Sequence, residues 1–591
     1  MRSHRTGPLG KTAARTAGIL ILLASCLAAS STEYTRQVLS SSPVIREKTT
    51  TQLSTATISA LEARDGDAVK VWVFFTDKGM RSQTAFEQKA VSVALTERAL
   101  HRRAKVDRDR VLFVDIPVEQ SYVDRITALG AKHRRSSRWL NAATFEVPAD
   151  QLETIAGLPF VARVKPMQIF RQDLPAPEMI KHEAPSGALA PDALNYGDAA
   201  DQLAQINVPA VHDLGYTGAG VTLAIMDTGF RKTHNAFAQH YLNGRVLAEW
   251  DFVNDDGNTA NEAEDNDWSS QWNHGTYIFS VSAGEDPGNM YGPAYHANII
   301  LCKTEDVRSE TQVEEDNWVA ALEFSDSIGT DVITTSLGYD SFDDGTGYTF
   351  EDMDGQTAVI SIAASTCDGL GIVMCNSMGN SGPGAGTLSA PADALDIISV
   401  GNVNSSGTIS VSSSRGPTAD GRIKPDVCAR GSSTACAASW EDDAYTFASG
   451  TSLSTPLVAG AACLIIEAHP EWTPADVREA MRMTASQAST PDNTYGWGII
   501  DVLAAINYEN DCCIGTIGNV DGSPDQTVSL GDLTAMVDVL FISLNPVACP
   551  AEADVDQSGG THPTQSNISL GDLTALIGHL FITLDPFPAC P

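Results

Sequence analysis

The sequence predicts an α/β protein built on a doubly wound parallel sheet, with a smaller domain on either side of it. Three observations lead to this prediction. The chain has 591 residues, well beyond the roughly 250–300 at which a single core stops growing. Between residues 199 and 508, apolar runs alternate with helical stretches, as expected when helices cover both faces of a parallel sheet. Past residue 511, the near-identical segments 528–535 and 568–575 indicate a small duplicated domain.

Residues 1–30 have the pattern of an export signal. Four basic residues precede an apolar run over residues 17–29, which is too short for a stable membrane span. Ala28-Ala29-Ser30 offers an ordinary cleavage site, whereas Leu23-Ala24-Ser25-Cys26 resembles a bacterial lipobox, in which Cys26 would carry lipid. We therefore expect a secreted protein, with cell-surface attachment through Cys26 as the alternative. A Ser/Thr-rich linker over residues 31–66 follows the signal.

Residues 67–170 are expected to form a compact α+β domain. Its strand-like runs are 70–75, 111–117, 143–147 and 160–164, and its helical stretches are 85–105, 119–129 and 149–157. The linker that follows, residues 171–198, is rich in Pro and Ala, a composition suited to a domain boundary or a processing site.

The central region, residues 199–508, supplies the strands of the parallel sheet. The apolar runs read as strands are 221–225, 297–302, 332–336, 371–374 and 397–400. Asp227 follows the first of these runs, and ligand sites of open α/β sheets lie at the carboxyl ends of strands.

Charge divides the chain into a basic part and an acidic part. Residues 1–170 have 25 Lys and Arg against 16 Asp and Glu, whereas residues 171–591 have 13 against 58. The net charge of −36 for the whole chain repels phosphate backbones, so we expect no nucleic-acid partner. No Lys or Arg occurs after Arg482, so the carboxylates of the C-terminal region need cations or solvent to balance them.

Three segments of the central region carry the groups that acyl transfer by a serine requires. Asp227 lies in Asp-Thr-Gly, His274 in Asn-His-Gly-Thr, and Ser452 in Gly-Thr-Ser-Leu-Ser-Thr-Pro, directly before an apolar helix over residues 457–468. A serine hydroxyl is a weak nucleophile and needs a base, which in turn needs an orienting carboxylate. Asn380, with the backbone N–H of Ser452, is expected to donate hydrogen bonds to the oxyanion of the tetrahedral intermediate.

These segments resemble the signature segments of the subtilisin-like serine proteases, the subtilases, in the order Asp, His, Ser. The resemblance covers about residues 200–505. It implies peptide-bond hydrolysis through an acyl-enzyme on Ser452, with polypeptides as substrates. The residues that it places along the substrate cleft are Ser336, Leu337, Gly338, Met378, Gly379 and Ser389.

The basic domain at 67–170 resembles a subtilase propeptide, which in the family assists folding and inhibits its own enzyme. The resemblance implies an autoprocessed zymogen, and the basic charge of this domain suits an acidic partner. A merely solvated basic domain is the alternative.

Two residues near His274 depart from the family pattern. Asn273 stands where the family usually has Gly, and Tyr277 replaces a common second His. Ser389 is expected near the floor of the primary specificity pocket, and without a carboxylate cluster there we expect a broad or apolar preference. A catalytically inactive scaffold used for adhesion is the alternative function.

Residues 511–591 contain two amphipathic helices, each preceded by a loop with oxygen ligands at alternate positions. The pair resembles a dockerin-type repeat of EF-hand-like loops. The resemblance implies calcium, and a cohesin-like protein or a cell-surface component as partner. The expected ligands are Asn519, Asp521, Asp532, Asp554, Asp556 and Asp572. Both loops are longer than usual, and Asp532 and Asp572 also fit a helix-capping pattern that needs no metal.

The cysteines fall into two groups. Cys512, Cys513, Cys549 and Cys590 cluster at the end of the chain and are expected to form disulfides, with a connectivity that sequence leaves open. Cysteines of the central region, such as Cys367, Cys375 and Cys463, have apolar neighbours and are expected to be buried thiols.

Overall fold

The computed structural model describes most of the chain between residues 68 and 587. The described ranges are 68–80, 82–106, 108–167, 177–178, 194–307, 315–338, 348–508, 516–523, 527–542, 547, 549–558, 567–583 and 586–587. The expected export signal and the linker after it lie outside these ranges, as do Cys26, Cys512, Cys513 and Cys590.

Sixteen strands and sixteen α-helices are found in the described part of the chain. The strands are β1 (Ala68–Phe75), β2 (Lys132–Ser137), β3 (Ala142–Pro148), β4 (Val161–Pro166), β5 (Pro177–Glu178), β6 (Thr222–Asp227), β7 (Val246–Asp251), β8 (Glu285–Asp286), β9 (Met290–Tyr291), β10 (Asn298–Lys303), β11 (Val332–Thr335), β12 (Val373–Ser377), β13 (Ile398–Val403), β14 (Val427–Arg430), β15 (Thr434–Ala437) and β16 (Tyr445–Ala448). The helices are α1 (Gln83–Ala90), α2 (Glu97–Ala104), α3 (Gln120–Thr127), α4 (Leu152–Ala156), α5 (Ala200–Ala204), α6 (Val208–Asp213), α7 (Ala238–Leu242), α8 (Asn273–Ala283), α9 (Glu315–Ile328), α10 (Val359–Ser365), α11 (Thr451–Ala468), α12 (Pro474–Met483), α13 (Val502–Ile506), α14 (Leu530–Val537), α15 (Pro550–Ala553) and α16 (Leu570–Ile577).

The chain forms two compact units that exchange short segments. The first unit comprises Met1–Thr96, Arg110–Ile169 and Glu314–Ser327, and the second comprises all the rest. Nearly all of helix α9 therefore belongs with the N-terminal sheet, whereas helix α2 belongs with the large parallel sheet.

The first unit is an antiparallel four-stranded sheet of order β2-β3-β1-β4 with helices on it. Alternate residues Val71, Val73 and Phe75 of β1 pack into one buried cluster with residues of α3. The strands predicted over 70–75, 143–147 and 160–164 are confirmed as β1, β3 and β4. The strand predicted over 111–117 is wrong. Phe113–Asp115 forms a 3₁₀ turn, in which the Asp115 carboxylate accepts the Leu112 N–H at 2.7 Å.

Helix α9 presents acidic side chains to the basic strand β2 and its neighbours. Arg134 Nε donates to Asp316 Oδ2 at 3.1 Å, and Ser137 Oγ donates to Glu323 Oε1 at 2.6 Å. On the face of β1 opposite to Val71, Val73 and Phe75, Trp72 Nε1 donates to Glu315 Oε2 at 3.2 Å. The sequence analysis missed β2 because its residues, Lys-His-Arg-Arg-Ser-Ser, pair with these acids instead of filling an apolar core.

The second unit is built on seven strands, all paired in parallel, in the order β14-β13-β12-β11-β6-β10-β7. The predicted parallel α/β sheet is thus confirmed, and the five predicted strands correspond to β6, β10, β11, β12 and β13. The two missed strands, β7 and β14, are the edges of this sheet. An edge strand has a neighbour on one side only, and a continuous apolar run is less necessary there.

Helix α11 is the central helix of the second unit. Its residues, with those of α8, belong to the largest buried cluster of this unit. Among the described residues, α11 is the one helix long and apolar enough to cross a membrane by length and composition, and 89% of the window that meets this test is buried.

The C-terminal residues form two short repeats with a core of their own. Helices α14 and α16 each begin with a capping box, and each runs into one wider π-helical turn. Met536, Leu573 and Leu576 belong to the buried cluster between them. The two predicted helices are confirmed, and Cys549 is disulfide-bonded. The six free cysteines found in the described residues, Cys367, Cys375 and Cys463 among them, are all buried.

Candidate active site

Asp227 and His274 are brought together by the end of a strand and the start of a helix. Asp227 is the last residue of β6, and His274 is the second residue of α8. His274 Nδ1 lies 2.8 Å from Asp227 Oδ1 and 3.0 Å from Oδ2, and both side chains are buried. The Thr228 N–H also donates to Asp227 Oδ1, at 2.7 Å. A carboxylate in this position holds the imidazole with its proton on Nδ1, which leaves Nε2 as the base.

Ser452 lies in the first turn of α11, which begins at Thr451 and not at residue 457 as the sequence predicts. A proline inside a helix has no N–H to donate to the carbonyl four residues earlier. Pro456 therefore leaves the Ser452 carbonyl open, and this oxygen accepts a hydrogen bond from Ser336 Oγ at 3.0 Å. The Ser452 hydroxyl donates back to the Ser336 carbonyl at 3.3 Å. The two residues thus tie the start of α11 to the end of β11.

The Ser452 hydroxyl is not hydrogen-bonded to His274 in this structure. It donates to Ser336, and His274 Nε2 has no hydrogen-bond partner among the described residues. Hydrogen bonds between catalytic groups of free enzymes are often long and tighten only when substrate binds. We expect rotation of the Ser452 side chain about its Cα–Cβ bond to direct the hydroxyl to Nε2.

Asn380 is oriented through its amide oxygen. Its Oδ1 accepts hydrogen bonds from the Thr451 N–H at 2.9 Å and from Thr451 Oγ1 at 3.1 Å. These two bonds leave the Nδ2 group of Asn380 as the donor that points away from Thr451. The backbone N–H of Ser452, in the first turn of α11, is the second candidate donor to an oxyanion.

The predicted cleft residues lie at the ends of β11 and β12, with Ser389 between them. A Cβ added to Gly338 would lie 2.3 Å from Ser389 Oγ, and one added to Gly379 would lie 2.7 Å from it. Ser389 Oγ therefore occupies the space between the two glycines, and its N–H donates to the Met378 carbonyl at 3.2 Å. Of the other predicted cleft residues, Leu337 is buried like Met378, and Ser336 contacts Ser452 as described.

Sequence reasoning missed Ser439, which contacts Asn273, one of the two positions that depart from the family pattern. Ser439 Oγ donates to Asn273 Oδ1 at 2.5 Å, directly before His274. Tyr277 lies one helical turn later on α8. Burial raises the pKa of Tyr277 to about 12, and the Ser439 hydroxyl acts in the opposite direction. The signal that could have found this contact is the spacing of four between Asn273 and Tyr277, which places both side chains on one face of a helix.

A second missed feature is the fully buried Lys303 at the end of β10. Its Nζ lies 2.8 Å from Asp251 Oδ2 and 2.7 Å from Asp267 Oδ2, so the ammonium group is paired on two sides. Lys303 is the register partner of Asp227 between β10 and β6. The ion pairs therefore attach two points of the segment between β7 and His274 to the end of β10.

The second C-terminal repeat brings its three predicted metal ligands together. Carboxylate oxygens of Asp554, Asp556 and Asp572 lie within 4.8 Å of one another. The Asp556 N–H donates to Asp572 Oδ1 at 3.0 Å, and the Ser558 N–H donates to Asp554 Oδ1 at 3.0 Å. Three carboxylates at this spacing suit a hard cation such as Ca²⁺.

The first C-terminal repeat has the same backbone pattern. The Asp521 N–H donates to Asp532 Oδ1 at 3.1 Å, and the Ser523 N–H donates to Asn519 Oδ1 at 3.1 Å. The other oxygen of Asp532 accepts the Ser529 N–H at 2.6 Å. The capping role that the sequence left open is thus formed, and it uses one carboxylate oxygen of the residue.

Comparison with known proteins adds the following findings. The subtilase family model, Peptidase S8, matches residues 218–498, and a model of the Peptidase S8 propeptide domain of Bacteroidota matches residues 70–181. Subtilisin E of Bacillus subtilis (strain 168) is 30% identical over 386 residues, which cover 65% of this chain and 85% of that protein. Subtilisin-like protease SBT6.1 of Arabidopsis thaliana is 32% identical over 311 residues, 49% of this chain and only 26% of that longer protein.

Among solved structures, fervidolysin from Fervidobacterium pennivorans, a keratinolytic enzyme related to subtilisin, shares the fold. The TM-score is 0.54 at 19% sequence identity, covering 78% of this chain and 65% of that chain. The chain belongs to the subtilase family and carries the propeptide domain of its Bacteroidota members. It is a hydrolase of the subtilisin-like serine endopeptidase class.

Proposed function

We propose that this chain is a secreted serine endopeptidase that cuts polypeptides through an acyl-enzyme on Ser452. The observation that carries the proposal is the buried contact of His274 Nδ1 with Asp227 at 2.8 Å, with Nε2 left open. Ser452 Oγ attacks the carbonyl carbon of the substrate, and its proton passes to His274 Nε2. The oxyanion accepts hydrogen bonds from Asn380 Nδ2 and from the Ser452 N–H.

The second half of the reaction uses the same groups in reverse. His274 gives its proton to the leaving amine as the peptide C–N bond breaks. A water molecule then attacks the acyl carbon while His274 takes its proton, and the ester bond to Ser452 breaks as His274 passes that proton to Ser452 Oγ. Asp227 orients the imidazole and stabilises its charged form throughout. The Ser389 hydroxyl, and not a carboxylate, lies between Gly338 and Gly379, which supports a broad or apolar preference.

The chain is made as a zymogen and processes itself. Strand β5, in the linker after the propeptide domain, pairs antiparallel with β16, with Glu178 opposite Phe447. Strand β16 ends at Ala448, four residues before Ser452. This pairing supports cleavage of the linker at the enzyme's own site, as does the family's use of propeptides as inhibitors.

The test compares Ser452→Ala with Ser454→Ala, two residues further along the same helix. The Ser454 hydroxyl is bonded within the helix, to the Thr451 carbonyl at 2.9 Å. Ser452→Ala should lower casein hydrolysis by about a thousandfold or more and keep the N-terminal domain covalently attached. Ser454→Ala should remain active and processed. Equal casein hydrolysis by both variants would sink the proposal, and equal maturation would assign the cleavage to another enzyme.

Secretion is proposed from residues 1–30. The basic residues and the apolar run after them support export, and the free cysteines of the described residues are all buried away from the medium. N-terminal sequencing and the intact mass of the exported protein test this. A start near residue 31 supports simple cleavage, a lipid on Cys26 supports surface attachment, and an intact signal would contradict both.

For the C-terminal repeats, we infer calcium binding by a dockerin-type domain. The carboxylates of Asp554, Asp556 and Asp572 would hold the ion in one loop, and Asn519, Asp521 and Asp532 in the other. The ion would supply positive charge in a region without Lys or Arg. Exposed apolar residues at equivalent positions of both repeats, Phe541 and Phe581 among them, support a protein partner such as a cohesin-like or cell-surface component.

The inactive-scaffold alternative gains no support. An inactive scaffold would be expected to lack a residue of the triad or a contact within it. Here Asp227 and His274 are both present and in contact.

A further inference from the structure

Helix α2 lies at the amino-terminal ends of three strands of the parallel sheet, whereas Asp227 lies at the carboxyl end of one of them. Arg102 bonds to carbonyls that precede β11 and β12, and Arg98 Nη1 donates to Thr222 Oγ1, in the first residue of β6, at 3.0 Å. These three strands are neighbours in the sheet. Asp227, in contrast, is the last residue of β6. The N-terminal domain therefore contributes a helix to the peptidase unit at a place remote from the cleft.

The contact is made by a buried guanidinium group. Arg102 is 1% exposed, and its Nε donates to the Leu370 carbonyl at 2.9 Å while its Nη1 donates to the Thr330 carbonyl at 2.8 Å. Arg103 is buried as well. A buried charge is tolerated only when hydrogen bonds stabilise it, and here the Leu370 and Thr330 carbonyls accept two hydrogen bonds from Arg102.

The peptidase backbone is shaped to the helix at two glycines. Gly329 has φ +101°, and a Cβ there would lie 2.6 Å from the Ala99 nitrogen. Gly371 has φ +80°, and a Cβ there would lie 2.9 Å from the Arg102 carbonyl oxygen. These glycines flank the two carbonyls that Arg102 binds. The two glycines that admit the backbone of α2 therefore lie next to the two carbonyls that bind the Arg102 side chain.

We propose that the amino-terminal ends of β6, β11 and β12 are a second docking site for the N-terminal domain, and that α2 keeps the domain bound after cleavage, as a subunit of the active enzyme. The proposal rests on the proposed self-processing, because it describes the state after the linker is cut. A cut between residues 171 and 198 breaks none of the α2 contacts. Because the site lies at the opposite end of the strands from Asp227, its occupation does not require the cleft to be filled.

The test uses the full chain with Ser452→Ala and with the recognition sequence of an unrelated protease in place of residues 184–190. After the cut, the dissociation rate of the N-terminal chain is measured. Arg102→Ala should raise this rate at least tenfold, because two hydrogen bonds from a charged group are lost. The matched control is Arg125→Ala, which removes the same charge from the exposed face of α3 and should leave the rate within twofold.

Arg98→Ala is a milder variant if Arg102→Ala fails to fold. Its side chain is exposed, and its loss should raise the rate about threefold or more. Equal rates for the folded Arg98 or Arg102 variant and for the Arg125 variant would overturn the proposal. In the natural chain, the casein-hydrolysing fraction should contain a peptide spanning residues 97–109. An active fraction without it would also overturn the proposal.

The two ideas fail in different ways. If the natural chain is never cut, the self-processing is wrong, while the engineered cut still measures the role of α2.

Discussion

At the residue scale, Asp227, His274, Asn380 and Ser452 are each held by hydrogen bonds to residues elsewhere in the chain. Short segments such as Asp-Thr-Gly show which residues to expect at a site, because the chemistry restricts their types. They do not show that Pro456 leaves the Ser452 carbonyl open to a hydrogen bond from Ser336, or that Ser439 donates a hydrogen bond to Asn273. Those contacts join residues far apart in the sequence, as Ser336 and Ser452 are, and only the fold brings them together.

Ser439 is expected to position the base through Asn273. Ser439→Ala and Asn273→Gly should each lower kcat about fivefold with KM nearly unchanged, since a hydrogen bond of this kind contributes about 1 kcal/mol. The double variant should be no worse than either single variant, because both remove one contact. The matched control is Ser412→Ala, which removes an exposed bond to Ser410. Additive losses in the double variant would contradict the positioning role.

At the element scale, the sequence predicted buried elements well and edge elements poorly. The central strands are continuous apolar runs, which a parallel sheet covered on both faces requires. Strands β7 and β14 are edges, and β2 is a basic strand that pairs with acids on α9. The pattern of apolar residues does not contain this information, because the helix that stabilises β2 lies far along the chain from it.

The buried histidines His212 and His240 tie helices α6 and α7 to the core. Their Nε2 atoms lie 2.8 Å from the Pro293 carbonyl and 2.6 Å from the Ala283 carbonyl. Burial lowers the pKa of each to about 4, against an ordinary value of 6.5. The unfolded chain therefore binds more protons between pH 6.5 and 4, and the free energy of unfolding contributed by each falls as the pH falls through this window.

The expected slope is about 1.4 kcal/mol per pH unit for each histidine near the middle of the window. Urea unfolding of the Ser452→Ala chain at pH 7, 6 and 5 measures it. Adding His240→Gln should reduce the slope by about 1.4 kcal/mol per pH unit, the contribution of one proton. Adding His101→Gln, at an exposed position, should leave the slope unchanged. A slope that is the same in all three chains would refute the assignment to buried neutral histidines.

The C-terminal repeats are expected to be stabilised by calcium. Adding calcium at about 100 times its Kd should increase the stability of these repeats by about 2.7 kcal/mol. The measurement is the rate at which an added protease cuts the full chain at sites beyond residue 508, with and without a chelator. Asp556→Ala should lose the calcium-dependent protection, whereas Asp443→Ala, an exposed acid of the β15–β16 turn, should keep it. Protection that is indifferent to chelator would leave Asp532 and Asp572 as helix caps only.

At the scale of the whole molecule, the distribution of charge reflects what each part binds. In the first unit, basic side chains of the N-terminal part pair with carboxylates on α9. In the second unit, Arg102 of α2 donates hydrogen bonds to backbone carbonyls. The sequence predicted the opposite charges, because they are a matter of composition. It did not predict the exchange of α2 and α9 between units, which depends on contacts between distant segments.

The central claim, an acyl-enzyme on Ser452, is tested most directly by an active-site-directed fluorophosphonate. The matured enzyme is treated with the reagent, and the modified residue is found by peptide mapping while casein hydrolysis is followed. The account predicts one adduct per chain, on Ser452, formed in step with loss of activity and absent when the protein is unfolded. Full loss of activity with Ser452 unmodified, or activity that survives complete modification of Ser452, would contradict it.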